Sequence, residues 1–209
     1  MDIRESYDSA AEAYTEHLAG ELAYKPLDRH LLNRFAEATR DRGQVADLGC
    51  GPGHVAKYLS DQGVRMVGVD LSPKMIACAT HLAPEVAFKV GDVHTLDFED
   101  GSLAGIIAFY LIVHFTPAEL GPIFREMRRV LASDALALVS FHVGSGVIHK
   151  DDLFGARVNL AFRFHDQTTV LNAMETNGFA VIEHIQREPY AEEYPSRRCY
   201  LLGRATPRS

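Results

Sequence analysis

Residues 45–54 read Val45-Ala46-Asp47-Leu48-Gly49-Cys50-Gly51-Pro52-Gly53-His54. A short apolar run enters three glycines at alternate positions, and a helical pattern follows. Glycines let the backbone turn sharply and let a ligand approach with no side chain in the way. Free N–H groups at the following helix start favour an anionic or polar group there. In an open α/β sheet such a loop lies at the carboxyl edge of the strands, where ligands bind.

Working outward, apolar runs at 45–48, 65–69, 86–90, 105–109 and 135–141 read as buried strands. Helical stretches at 53–62, 73–82 and 117–131 lie between them. Ser72-Pro73 offers an N-cap followed by proline at the first helical position. Thr116-Pro117 with Glu119 makes a similar start. Alternating β and α elements indicate right-handed crossovers and a parallel sheet with helices on both faces. Residues 4–19 and 26–41 pattern as two helices before the first strand. After residue 142, Gly144-Ser145-Gly146 opens an irregular stretch reaching about Asp166. A helix at 166–177 and strands at 179–187 and 197–204 complete the chain.

The strand ends carry acids. Asp70 closes the second strand, 23 positions after Asp47, where a carboxylate can accept from both hydroxyls of an adenosine ribose. Gly91-Asp92 closes the third, where Asp92 can accept from an exocyclic amine while the Val93 N–H reads a ring nitrogen. A dinucleotide fingerprint places its third glycine at position 54, which is His54 here. Asp47, two residues before the first glycine, is poorly placed beside a pyrophosphate and well placed beside a cationic amine. The residues therefore favour an adenosine ligand carrying an ammonium group over NAD. An NAD(P)-linked oxidoreductase and a non-catalytic adenosyl-binding protein stay open as alternatives.

Composition narrows the classes. In 209 residues, 21 Lys and Arg face 28 Asp and Glu, a net charge of −7 that gives no broad basic field for nucleic acid. The apolar run at 103–113 is far short of the roughly 20 residues a membrane helix needs. The N-terminus lacks an apolar signal core, and Cys50, Cys78 and Cys199 form neither a disulfide framework nor a zinc clamp. These features lead us to expect a cytoplasmic protein with no metal site and no nucleic-acid or membrane partner.

The segments at 45–54 and Val67-Gly68-Val69-Asp70-Leu71-Ser72-Pro73-Lys74-Met75 resemble the class I S-adenosylmethionine-dependent methyltransferases. Gly91-Asp92-Val93, the stretch from Tyr110 to His114, and Arg128-Arg129-Val130-Leu131 are similar too. Tyr7-Asp8-Ser9-Ala10-Ala11-Glu12-Ala13-Tyr14 resembles the N-terminus of small bacterial members. The resemblance implies a Rossmann-like, doubly wound sheet of seven strands, one antiparallel, in a single domain over 1–209. In it 1–43 would form a helical lid, 44–142 the cofactor core, 143–166 a substrate-side insert and 167–209 the last helix and strands. It implies S-adenosylmethionine as cofactor, S-adenosylhomocysteine as product and a small-molecule acceptor methylated at O or N. The chain would act as a monomer or homodimer.

Roles follow from the resemblance position by position. Asp47 would meet the methionine amine, and Gly49, Gly51 and Gly53 would line the methionine moiety, with Cys50 and His54 on the same loop. Asp70 would hold the ribose, Leu71 and Met75 would pack near the adenine, and Asp92 would meet its amine. The backbone of Phe109 and Tyr110 would pass the sulfonium. The departures are Gly105 where an acid often starts the fourth strand, and Ser133-Asp134 where Gly-Gly often stands.

His114 and Tyr110 are the catalytic candidates, His114 as general base or substrate-positioning group, its ordinary pKa suiting proton removal near neutrality; the alternative is a histidine that shapes the pocket. Tyr7 and Tyr14 share a helical face, as a lid over the cofactor or as a packing stripe. His142, His149 and His165 could line the pocket or be structural. Lys25, Arg29, Arg197 and Arg198 read as solvated charges or as receivers of an acidic group.

Overall fold

Turn chemistry decides where several elements begin, in a structure (a computed structural model) that describes residues 1–207. In chain order it contains α1 (Ile3–Leu18), a 3-10 turn (Glu21–Tyr24), α2 (Pro26–Thr39), β1 (Gln44–Leu48), α3 (His54–Ser60), β2 (Arg65–Asp70), α4 (Pro73–Leu82) and β3 (Ala87–Val90). Then follow β4 (Leu103–Phe109), a second 3-10 turn (Leu111–His114), α5 (Pro117–Val130), β5 (Leu131–His142), β6 (Val147–Leu153), β7 (Ala156–Arg163), α6 (Gln167–Thr176), β8 (Phe179–Arg187) and β9 (Arg198–Ala205). Ser72 caps α4 by accepting from the Met75 N–H at 3.0 Å. At the start of α5 the Glu119 carboxylate accepts from the Thr116 N–H (2.6 Å) and hydroxyl (2.5 Å).

The sheet has seven strands in the order β3-β2-β1-β4-β5-β9-β8. Neighbours from β3 to β5 pair in parallel, and β9 runs antiparallel to both β5 and β8. The expected mostly parallel sheet with one antiparallel strand is what the chain forms. Strand alternation divides the core in two. Ala46, Val67, Ile106 and Val139 face α5 and α6 through Phe124, Met127 and Met174. Val45, Met66, Ile107 and Leu138 face α2 and α3 through Leu32, Phe35 and Leu59.

Two expectations need correction. Residues 143–166 are not irregular: β6 and β7 pair as an antiparallel hairpin with its turn at Phe154-Gly155. Its buried residues Val158 and Leu160 pack on Ala10 of α1, so the hairpin's apolar face depends on a partner distant in sequence. Nor is the whole of 1–43 a lid, because α2 is part of the core on one face of the sheet.

Candidate active site

The parallel strands β1, β2 and β4 all end at one edge, and a cavity of about 520 Å³ opens there. Gly49 and Gly51 form its floor, and both have left-handed backbones (φ 67° and 50°). A Cβ on Gly51 would meet only Tyr14 Cε1 at 3.8 Å, so this glycine faces open space. Gly53 does different work: a Cβ there would come within 2.8 Å of Ala79 and 2.9 Å of Phe88. It lets α3 pack against α4 and β3, behind the wall rather than on it.

Asp47 is the most unusual group on the wall. It is 2% exposed, and its Oδ2 is buried without a hydrogen-bond partner. Burial, then the nearby Asp70 charge, pushes its carboxyl up to about 8. A buried carboxyl with an empty oxygen is costly unless something pairs with it. Asp70 stands one hydrogen bond behind the wall, its Oδ2 accepting from the Gly51 N–H (2.9 Å) and its Oδ1 from the Ser72 N–H (2.8 Å). Each oxygen keeps a second lone pair. The residues present thus fit a ligand with a cationic amine near Asp47 and hydroxyls near Asp70.

α1 and the hairpin cover this edge. Tyr7 and Tyr14 both line the cavity, their rings 5.8 Å apart and edge to face. Burial raises both phenol pKa values. The Tyr7 hydroxyl lies 2.8 Å from His114 Nε2. His114 itself is behind the wall, its Nδ1 unpartnered, and burial pushes its pKa down to about 4. The imidazole is therefore neutral near pH 7. Asp8 on α1 accepts from the Ser72 hydroxyl (2.6 Å) and the Lys74 N–H (3.1 Å), tying α1 to α4. At the hairpin tip Phe154 stacks on His17 of α1 at 4.1 Å.

The far end of the cavity holds aromatic rings and a buried ionic cluster. Tyr110 has a left-handed backbone (φ 56°), and its N–H donates to the Ser140 carbonyl at 2.9 Å. Lys25 lies 5.4 Å from the Tyr110 ring and bonds Glu21 at 2.6 Å. Burial opposes the Glu21 charge, but bonds from His54 (3.0 Å) and Lys25 hold its carboxyl down at about 2. Glu193, which takes Arg187 at 2.5 Å, is likewise held at about 2 against burial. His142 is pushed down to about 3, first by burial and then by the Arg198 charge.

Of the sequence-derived candidates, Tyr7, Tyr14, Asp47, Gly49, Cys50, Gly51, His54, Phe109 and Tyr110 border the cavity. Met75 is 1% exposed and belongs to the packing beneath. Leu71 borders a separate shallow depression with Met1 and Asn159. Gly91, Asp92 and Val93 lie off the cavity at the β3 end; Asp92 accepts from the His94 N–H (2.9 Å) and its ring Nδ1–H (2.8 Å). The Cys50 thiol is buried, which raises its pKa well above the usual thiol value and leaves no thiolate. His165 is structural, its Nε2–H donating to the Ile112 carbonyl at 2.9 Å, and His149 is exposed. Lys25 and Arg198, expected as solvated charges or as receivers of an acidic group, are buried on the wall and paired with Glu21 and Glu193. Sequence reasoning missed Glu21, Phe154, Phe162 and Phe164, which carry no motif. Among the described residues no group of three or more His, Cys, Asp or Glu could hold a metal ion, and no helix is long and apolar enough to cross a membrane.

Comparison with known proteins bears on the domain and the fold. Residues 45–134 match a family described as a methyltransferase domain. An uncharacterized methyltransferase of Synechocystis sp. is 33% identical over 100 residues, 47% of this chain and 47% of that protein. N-demethylindolmycin N-methyltransferase of Streptomyces griseus is 28% identical over 230 aligned positions, spanning 94% of this chain and 96% of that one. Magnesium protoporphyrin IX methyltransferase from Synechocystis PCC 6803, solved with bound SAM, has the same fold: TM-score 0.74, 16% identity, 98% of this chain and 95% of that one covered. The chain spans about half the length, or less, of the first curated relatives it matches. Sequence matches and strand order together support a class I S-adenosylmethionine-dependent methyltransferase.

Proposed function

We propose that this chain transfers a methyl group from S-adenosylmethionine to an oxygen or nitrogen of a small molecule, releasing S-adenosylhomocysteine. The observation that carries the reading is Asp47: a buried carboxyl with one oxygen unpartnered, on the wall beside two glycines. When bound, S-adenosylmethionine supplies a methyl carbon already activated by its sulfonium. The chain's part is to bind, align and exclude water. Asp47 accepts from the cofactor's ammonium, and Asp70 accepts from its ribose hydroxyls. Asp92, half-exposed at the next strand end, serves the adenine amine. Tyr7 and Tyr14 close over the loop, and His114 Nε2 holds the Tyr7 hydroxyl in place. In this role His114 is a positioning residue; being neutral, it can also take a proton through Tyr7 when the acceptor is a hydroxyl. The small-molecule acceptor has the support of the similarity to N-demethylindolmycin N-methyltransferase along nearly the whole chain.

Calorimetric titration with S-adenosylhomocysteine and with NADH tests the reading. Binding of the first and none of the second is expected, as is transfer of label from methyl-labelled cofactor to a small acceptor. Tight NADH binding with no S-adenosylhomocysteine binding would overturn it. Cofactor binding with no transfer to any acceptor would leave an adenosyl-binding protein instead.

A further inference from the structure

The acceptor end of the cavity has a definite chemistry. Its walls are rings in sequence: Phe109 and Tyr110 (6.4 Å), Tyr110 and His142 (5.1 Å), His142 and Phe164 (5.6 Å), and Phe164 and Tyr194 (6.0 Å). Ring faces and edges at such spacings take another flat ring with little loss of conformational freedom. Behind the rings, Lys25 pairs with Glu21 (2.6 Å) and Glu193 (3.5 Å), Arg187 with Asp28 (3.1 Å) and Glu193 (2.5 Å), and Arg198 with Glu193 (3.6 Å). Three cations meet three carboxylates, so the cluster is already neutral. Exposed Lys150 and Glu192, one charge of each sign, also border the cavity. A carboxylate or ammonium brought into this end would lose its water and find the buried counter-charges already taken.

We infer that the acceptor is an uncharged, planar aromatic or heteroaromatic small molecule, seated between Tyr110, His142, Phe164 and Tyr194. This rests on the methyltransferase reading of the cavity. Arg198, on the same wall, is held by its Nε 3.6 Å from Glu193 Oε2 and adds no free charge to this end. His142 is fixed by its Nδ1 contact with the Ser196 hydroxyl at 2.7 Å, so the ring it presents is held in place.

The test uses the whole chain saturated with S-adenosylhomocysteine. Four probes of similar size are titrated calorimetrically: naphthol, naphthylamine, the saturated alcohol decalol, and hydroxynaphthoic acid. Naphthol and naphthylamine are expected to bind at least about tenfold tighter than the other two. Phe164→Leu, which keeps most of the side-chain volume, is expected to weaken naphthol about tenfold with S-adenosylhomocysteine affinity unchanged. Equal or tighter binding of decalol or hydroxynaphthoic acid overturns the inference, and so does a saturated chain that binds none of the four. Failure of S-adenosylhomocysteine itself to bind points elsewhere: it removes the methyltransferase reading.

Discussion

Asp47 and His114 are both buried, and burial moves their proton affinities in opposite directions. For Asp47 the folded value of about 8 lies above the unfolded one. Its contribution to stability is complete below the unfolded value and is lost as pH rises to about 8. Asp47→Asn should therefore raise the Tm of the ligand-free chain near pH 8, by about 2–4 °C per kcal/mol relieved. The same variant should weaken S-adenosylhomocysteine about tenfold or more, because a charged hydrogen bond is lost. It should also flatten the rise in affinity expected for the native chain between about pH 6 and about pH 8. A variant that keeps full affinity with an unchanged pH profile would remove Asp47 from the ammonium site. For His114, kcat/KM for the acceptor, read at saturating cofactor, should fall on its acid side with an apparent pKa near 4 and not near 6.5. Tyr7→Phe and His114→Ala cut the same 2.8 Å contact, so the double variant should lose little more than either single one. Additive losses would mean that the two act separately.

At the scale of elements, α1 is held over the cavity by few ties. Asp8 supplies two of them, to Ser72 and Lys74 at the start of α4. Asp8→Ala should speed amide exchange along α1 about tenfold and raise the dissociation constant of S-adenosylhomocysteine a few-fold, with β1 and β4 unaffected. Unchanged exchange in α1 would show that the hairpin contacts alone hold it. The start of α5 was legible in Thr116, Pro117 and Glu119, because a cap is a local hydrogen-bond arrangement. Capping predicts that Thr116→Val costs about 1 kcal/mol, read from urea midpoints. The hairpin of β6 and β7 was not legible: its polar run at 149–152 alternates weakly, and its buried face is completed by Ala10.

For the molecule as a whole, the buried imidazoles set the acid limit. His114 at about 4, His142 at about 3 and His165 all titrate below the ordinary histidine value, so the unfolded chain binds more protons as pH drops below about 6.5. Stability should fall from there, by up to about 1.4 kcal/mol per pH unit for each group that titrates. Asp47 acts in the opposite sense, and so do Asp28 and Asp70, whose carboxyls burial also raises. Glu21 and Glu193, held at about 2, stay charged from about pH 7 to about pH 4. Urea midpoints that stay level from about pH 7 to about pH 4 would contradict this. By itself the sequence determined the alternating sheet, the glycine turn and the acids Asp47, Asp70 and Asp92 at three strand ends. Periodicity, turn residues and strand-end spacing are local, and they can be read along the chain. Only the tertiary structure decided which of these residues face the cavity, and that Gly53 and Met75 pack behind it. It alone brought Glu21 and Lys25 to Glu193 and Arg198, and Phe164 to Tyr194. Those meetings depend on β9 entering the sheet between β5 and β8 and on the hairpin closing over α1, contacts between distant segments that leave no pattern in either one.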